Sequence, residues 1–198
     1  KAIPHPGYLH RGVEKLCEKL TYAQITPIVD KNDYVAPMLN EQAVNMAFEK
    51  MLGVEVPLRA RYMRTILAEI QRVASHLLWL GTFAMDLGGA LGGGTSVFMY
   101  CFRERETILD LFEGLTGCRF HYNTHTVGGQ RHDIPAGWAA QVHQTLEAIS
   151  RRIPEYETML EHPIFLRRTK GVGVLDAELA LQLGLTGPLL RASGVDHD

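Results

Sequence analysis

With 198 residues, 46% of them hydrophobic and 21% charged, the chain can fill the core of one large domain or two small ones. A net charge of −2 without a polybasic run creates no field for nucleic acid or anionic lipid. Cys17, Cys101 and Cys118 are widely spaced and odd in number, so they fit no disulfide framework and read as reduced thiols, most simply small buried hydrophobes.

The opening from Ala2 to Tyr8 is too rich in Pro and Gly for a helix and lacks the apolar stretch of a secretory signal. Val13, Leu16, Leu20 and Ala23 then recur at three- and four-residue steps, predicting a helix that Pro27 disturbs or ends. After a turn at Asp30-Lys31-Asn32-Asp33, a second helix fits Asn40 to Leu52, with Asn40 as N-cap and Gly53 as stop. Pro57 suits the first position of a long third helix. Its apolar stripe runs through Met63, Ile66, Leu67, Ile70, Val73, Ala74, Leu77, Leu78, Gly81 and Ala84, with Arg59, Arg61, Arg64, Gln71 and Arg72 on much of the remainder.

Asp86 to Ser96 is glycine-dense and matches neither a Walker loop nor a dinucleotide fingerprint. A fourth helix is expected from Phe102 to Thr116, turning Ile108, Leu109, Leu111, Phe112 and Leu115 inward, with Glu104 and Glu106 at its N-terminal dipole. It leaves through Gly117 toward a Gly128-Gly129 turn. A fifth covers Ala140 to Leu160 with a possible kink at Pro154, and a short one covers Asp176 to Leu183. Five or six helices without a strand ladder predict all-α packing. No apolar run approaches the roughly 18 residues of a membrane span, which suggests a soluble or peripheral protein. The start without Met and the stop after a glycine turn suggest an internal segment of something longer.

Several residues could carry chemistry. His121 lies beside Arg119 and Tyr122, just past a helix end and before a glycine turn, a place that suits a site edge. His121, His125 and His132 could suggest a metal, but the first two share a ligand face only on a helix, and no Cys or carboxylate completes the set. Tyr34 after Lys31, Asn32 and Asp33 reads either as an exposed turn or as a phenol placed to donate to a carbonyl oxygen, with Lys31 supplying positive charge. Asp86 puts a carboxylate at the negative end of a helix dipole, a local conflict of the kind found at functional positions.

Taken in order, these pieces resemble one family, the hydrogenase-like large subunit (the D subunit in bacteria) of proton-pumping NADH:quinone oxidoreductase, respiratory complex I. The resemblance is carried by His5-Pro6-Gly7-Tyr8-Leu9-His10-Arg11-Gly12 with Glu14-Lys15, Asp33-Tyr34, Ala47 to Leu52, and Pro57-x-Arg59-Ala60. It continues through Asp86-Leu87-Gly88, Phe102 to Glu106, Arg119-Phe120-His121, Gly128-Gly129 with Asp133-x-Pro135, Gly171-Val172-Gly173, and Leu190-Arg191-x-Ser193-Gly194.

The resemblance implies one helical domain over residues 1–198, the core of the [NiFe]-hydrogenase large-subunit-like fold, cut at both ends. It implies that the chain binds no cofactor or metal alone and is inactive alone. A small partner subunit would hold the terminal [4Fe-4S] cluster, with quinone entering the cleft between the two. NADH and FMN would sit elsewhere in a complex of hydrophilic-arm and membrane subunits at the cytoplasmic side of the plasma membrane. On this resemblance Tyr34 hydrogen-bonds the quinone carbonyl, Asp86 supports a quinone-binding histidine in a segment outside this sequence, and His121 lies next to the cluster with Arg11 and Lys31 nearby. Two departures stand out: Lys31 replaces the arginine of most members, and Gly92-Gly93-Gly94-Thr95-Ser96 expands the link after Asp86. An energy-converting [NiFe] hydrogenase large subunit and a purely structural adaptor are the alternatives.

Overall fold

The computed structural model describes residues 2–87 and 94–196. Among them it has α1 (Val13–Cys17), α2 (Tyr22–Val29), α3 (Pro37–Leu52), α4 (Leu58–Asp86), α5 (Gly94–Thr116), α6 (Trp138–Leu160), α7 (Pro163–Thr169), α8 (Ala177–Gln182) and α9 (Gly187–Ala192). The only described sheet is a hairpin of β1 (His125–Thr126) and β2 (Gly129–Gln130), with His125 opposite Gln130 and Thr126 opposite Gly129. The all-α expectation therefore holds.

The core is an antiparallel pair. At one end Gly81 of α4 meets Phe98 and Cys101 of α5, and a Cβ on Gly81 would come to 3.3 Å from the Phe98 backbone. Glycine here lets the two helices approach more closely than a side chain would permit. Leu67, Ile70, Ala74 and Leu77 from α4 share this core with Ile108, Leu111 and Phe112 from α5, as the two apolar stripes predict, although Ile66 is 40% exposed. Trp138 opens α6 inside the same core and donates its indole N–H to the Leu111 carbonyl at 2.8 Å, so α6 is pinned to α5.

Several sequence expectations shift. The first predicted helix is two: Thr21 and Gln24 form a capping box that starts α2 afresh, and Pro27 sits inside α2, two residues before its end. Asn40 lies within α3 rather than capping it. Its amide donates instead to the carbonyls of Asp30 and Asp33, at 3.2 and 2.9 Å. Gly53 ends α3 in the left-handed region at φ 66°, as expected. α5 starts eight residues early, at Gly94, because Val97 and Cys101 extend its buried stripe backward in four-residue steps. Glu104 and Glu106 are consequently mid-helix and far from the dipole they were expected to offset. Of the glycine-dense link, residues 88–93 lie outside the described residues, and Thr95 and Ser96 belong to α5. The hairpin, α7 and α9 have no counterpart among the predicted elements.

One buried ion pair fixes the hairpin to the helices. Arg64 on α4 meets Glu49 on α3 with two hydrogen bonds, 2.9 and 2.6 Å, and both side chains are at most 6% exposed. Arg64 also donates to the carbonyls of Thr126 and Gly129, while Glu49 accepts from the Gly128 N–H at 2.8 Å. Burial works against the charge on Glu49, but the bonds from Arg64 and Gly128 hold its pKa below the ordinary carboxylate value. Its stabilisation is therefore present above the unfolded carboxylate pKa and lost as pH falls through the lower folded one. Arg64→Met is expected to destabilise the protein by about 3–5 kcal/mol, since it strands a buried charge, and adding Glu49→Gln should recover part of that loss. Urea denaturation of the two single variants and the double variant checks both.

Candidate functional site

The turn between α2 and α3 carries Lys31 and Tyr34. Asn40 clamps it from α3, and Gln71 of α4 donates to the Val35 carbonyl at 3.1 Å. Asp33 closes it locally by accepting from the Val35 N–H at 3.2 Å. The backbone beneath Tyr34 is thus held on two sides, while its side chain is 56% exposed. A rigid base with a free phenol suits presentation of a donor outward.

At the root of this turn sits Asp30, buried to 1% exposure. Its Oδ1 accepts from the Lys31 ammonium at 2.9 Å and lies 3.7 Å from Nδ1 of His121; its Oδ2 has no partner. Lys31 also donates to the Pro27 carbonyl at 2.7 Å, and Arg11 reaches the Ile28 carbonyl at 3.4 Å. His121, Lys31 and Arg11 therefore converge on the end of α2. The His121 pKa is lowered, first by burial and then by the positive charges of Lys31 and Arg11, with Asp30 opposing them. Phe120 packs against the His121 ring, centroids 4.6 Å apart. The Arg105 guanidinium lies 6.0 Å from the Phe120 ring and 5.6 Å from that of Phe102.

Asp86 stands apart. It is exposed at the end of α4, fifteen residues beyond Gln71, or about 22 Å along the helix axis. The structure thus brings His121, Lys31 and Arg11 together beside the Tyr34 turn and leaves Asp86 at a distance from them. An open cleft of about 390 Å³ between α3 and α4 is lined by Gln42, Met46, Glu55 and Arg61 among others, and by none of these residues.

Sequence reasoning missed the polar interior behind His121. Glu41 of α3 accepts from the backbone N–H groups of Thr124 and His125, both at 2.8 Å, and its Oε2 lies 3.5 Å from Nδ1 of His125. Glu41 and His125 are fully buried. The available signal was spacing: Glu41, Asn45 and Glu49 recur every fourth residue, and all three are buried. Arg64 and Gln71 likewise fall in register with the α4 stripe. His121 and His125 sit on non-helical chain, so they cannot share a helical ligand face. Among the described residues no group of three or more His, Cys, Asp or Glu could hold a metal ion. Of the cysteines, Cys101 is buried, with its thiol pKa pushed up to about 11 by burial and by Glu104, whereas Cys118 is exposed.

Fold and site define a helical scaffold with a polar edge, where a half-buried imidazole sits among two cations and a buried acid. The family described as the respiratory-chain NADH dehydrogenase 49 Kd subunit matches residues 92–198, more than half of the chain, and the chain belongs to that family. It is 48% identical over 196 residues to the NADH-quinone oxidoreductase D 2 subunit of Rhizobium etli strain CIAT 652, covering 98% of this chain and 47% of that one. It is 48% identical to the D 2 subunit of a Roseiflexus species, covering 98% and 46%. With the NADH-quinone oxidoreductase D subunit of Geotalea uraniireducens the identity is 47% over 199 residues, covering 100% and 50%. The chain spans about half the length of the curated relatives it matches.

Two substitutions test the electrostatics of the edge. Lys31→Gln is expected to raise the His121 pKa, and Asp30→Asn to lower it further below the ordinary imidazole value. A histidine proton-NMR titration of both variants reads the two directions.

Proposed function

We propose that this chain is the helical core of the D subunit of a complex I and forms one wall of its quinone site. It would pass electrons from a [4Fe-4S] cluster held by a small partner subunit to quinone, with proton translocation following. The observation that carries this reading is the convergence of His121, Lys31 and Arg11 on the clamped turn that presents Tyr34. Names of the relatives, the NADH-quinone oxidoreductase D subunit among them, point the same way.

The roles follow from charge. The partner's cluster would supply one electron at a time. His121, whose second proton is disfavoured by burial and two cations, faces that side. Added negative charge nearby would draw a proton onto it. Arg11 and Lys31 offer positive charge to the same neighbourhood. Quinone reduction needs two protons as well as two electrons, so acidic donors must stand at its carbonyl oxygens. Tyr34 supplies one such hydroxyl. Asp86, about 22 Å along α4 from the turn's anchor, serves by orienting a histidine that comes from outside these 198 residues. Lys31 cannot form the planar fork of an arginine and is committed to Asp30 and the Pro27 carbonyl, which narrows its role to that of a point charge.

In this reading residues 1–198 act as one helical domain beside the iron–sulfur subunit. The other hydrophilic-arm and membrane subunits, with NADH and FMN, complete an enzyme at the cytoplasmic side of the plasma membrane. No helix among the described residues is long and apolar enough to cross a membrane.

Tyr34→Phe in the assembled complex should reduce NADH:quinone reductase activity by about 10²-fold or more while leaving assembly intact. Unchanged turnover would make the chain a structural adaptor. Nickel retained by the purified complex would point to the hydrogenase branch.

A further inference from the structure

Behind His121 lies a buried pair that the quinone-site reading leaves without a task. Glu41 presents Oε2 to two backbone N–H groups, yet its Oε1 is buried without a partner. His125 is 0% exposed, and both of its ring nitrogens are without a hydrogen bond. Unpartnered polar atoms are costly in a packed interior, and a proton on Glu41 at the 3.5 Å contact of Oε2 with Nδ1 would give that ring nitrogen a donor.

The surroundings decide which charge state wins. Asp30, at the end of α2, places a negative charge near Glu41 and disfavours its carboxylate. Arg64, from α4, places a positive charge near His125 and disfavours its imidazolium; Glu49, on α3, only partly offsets this. From the segment after α5, the Tyr122 hydroxyl donates to the Arg119 carbonyl at 3.0 Å, and His121 lies against Asp30. The two charged neighbours push toward a neutral acid beside a neutral imidazole; the backbone N–H groups of His125, Asn123 and Thr124 favour the Glu41 carboxylate without outweighing burial. Burial adds to this: the Glu41 pKa is pushed up to about 7, first by burial, and that of His125 is pushed down to about 3 by the same cause.

We infer that Glu41 and His125 together hold one exchangeable proton in the interior, a store whose filling is tied through Asp30 to the charge on His121. On losing this proton Glu41 becomes a carboxylate, and the added negative charge near Asp30 favours the imidazolium of His121. The transfer is balanced: one proton leaves the buried acid and one is gained at the half-buried ring. Its use during electron arrival rests on the quinone-site reading; its existence does not.

Infrared spectra of the intact protein test it. Recorded from about pH 6 to about pH 9, where free glutamates are ionised, and repeated with isotope-labelled glutamate, they should show one protonated-glutamate carbonyl band. That band should fade with a midpoint near the value of about 7 given by burial. It should vanish in Glu41→Gln and shift in His125→Gln. The band midpoint should also fall in His121→Lys, which fixes a positive charge next to Asp30. A spectrum without a protonated-glutamate band at about pH 6, or a band indifferent to both variants, overturns the proposal. A band midpoint unmoved in His121→Lys overturns the coupling. If Glu41→Gln does not fold, the labelled wild type and His125→Gln still decide. The band is read without quinone, so the quinone-site reading can fail at Tyr34→Phe while the store stands, and the reverse.

Discussion

The bidentate contact between Arg64 and Glu49 is the constraint on which the rest of the molecule turns. Here α3, α4 and the chain after α5 meet through two charged side chains, each at most 6% exposed, at the wall of the α3–α4 cleft. A hairpin with two residues in each strand has little stability of its own. It keeps its place because Arg64 takes its carbonyls and Glu49 takes its turn N–H. Everything between Gly117 and Gly128 is thereby laid across the helices with both ends fixed. That anchored span is what sets His121 against the end of α2.

Around His121 the molecule distributes charge in two layers. Outside, Arg11 and Lys31 face a buried Asp30. Inside, Glu41 and His125 sit with no cation of their own between them. Asp30 links the layers: it lies 3.7 Å from His121 and its negative charge disfavours the carboxylate of Glu41. A half-buried imidazole in such a place responds to fields from either direction.

Much of the helical frame was legible from periodicity, because α3, α4, α5 and α6 are long and their apolar faces are regular. Boundaries failed where a local device overrode the pattern. The Thr21–Gln24 box split the first helix, and Val97 with Cys101 pulled α5 back to Gly94. The hairpin was invisible because its two-residue strands carry no alternation to detect. The site was half legible. Tyr34, His121, Lys31 and Arg11 stood out through turn chemistry and family resemblance, and three of them converge. Asp30 did not, because the turn that holds it reads as solvated, and Glu41, Glu49 and Arg64 did not, since a charged side chain in a helix reads as solvated unless its register with buried neighbours is weighed. In α3 and α4 that register was present, at every fourth residue.

Phe120 bears on His121 from one side, and Arg105 with Phe102 stands behind Phe120. The stance of the imidazole is therefore mechanically geared to the rotation of α5. Removing one residue from that helix ahead of Arg105 would turn its guanidinium by about 100° and leave the aromatic backstop unsupported. The imidazole inherits its aim from a helix that it never directly joins.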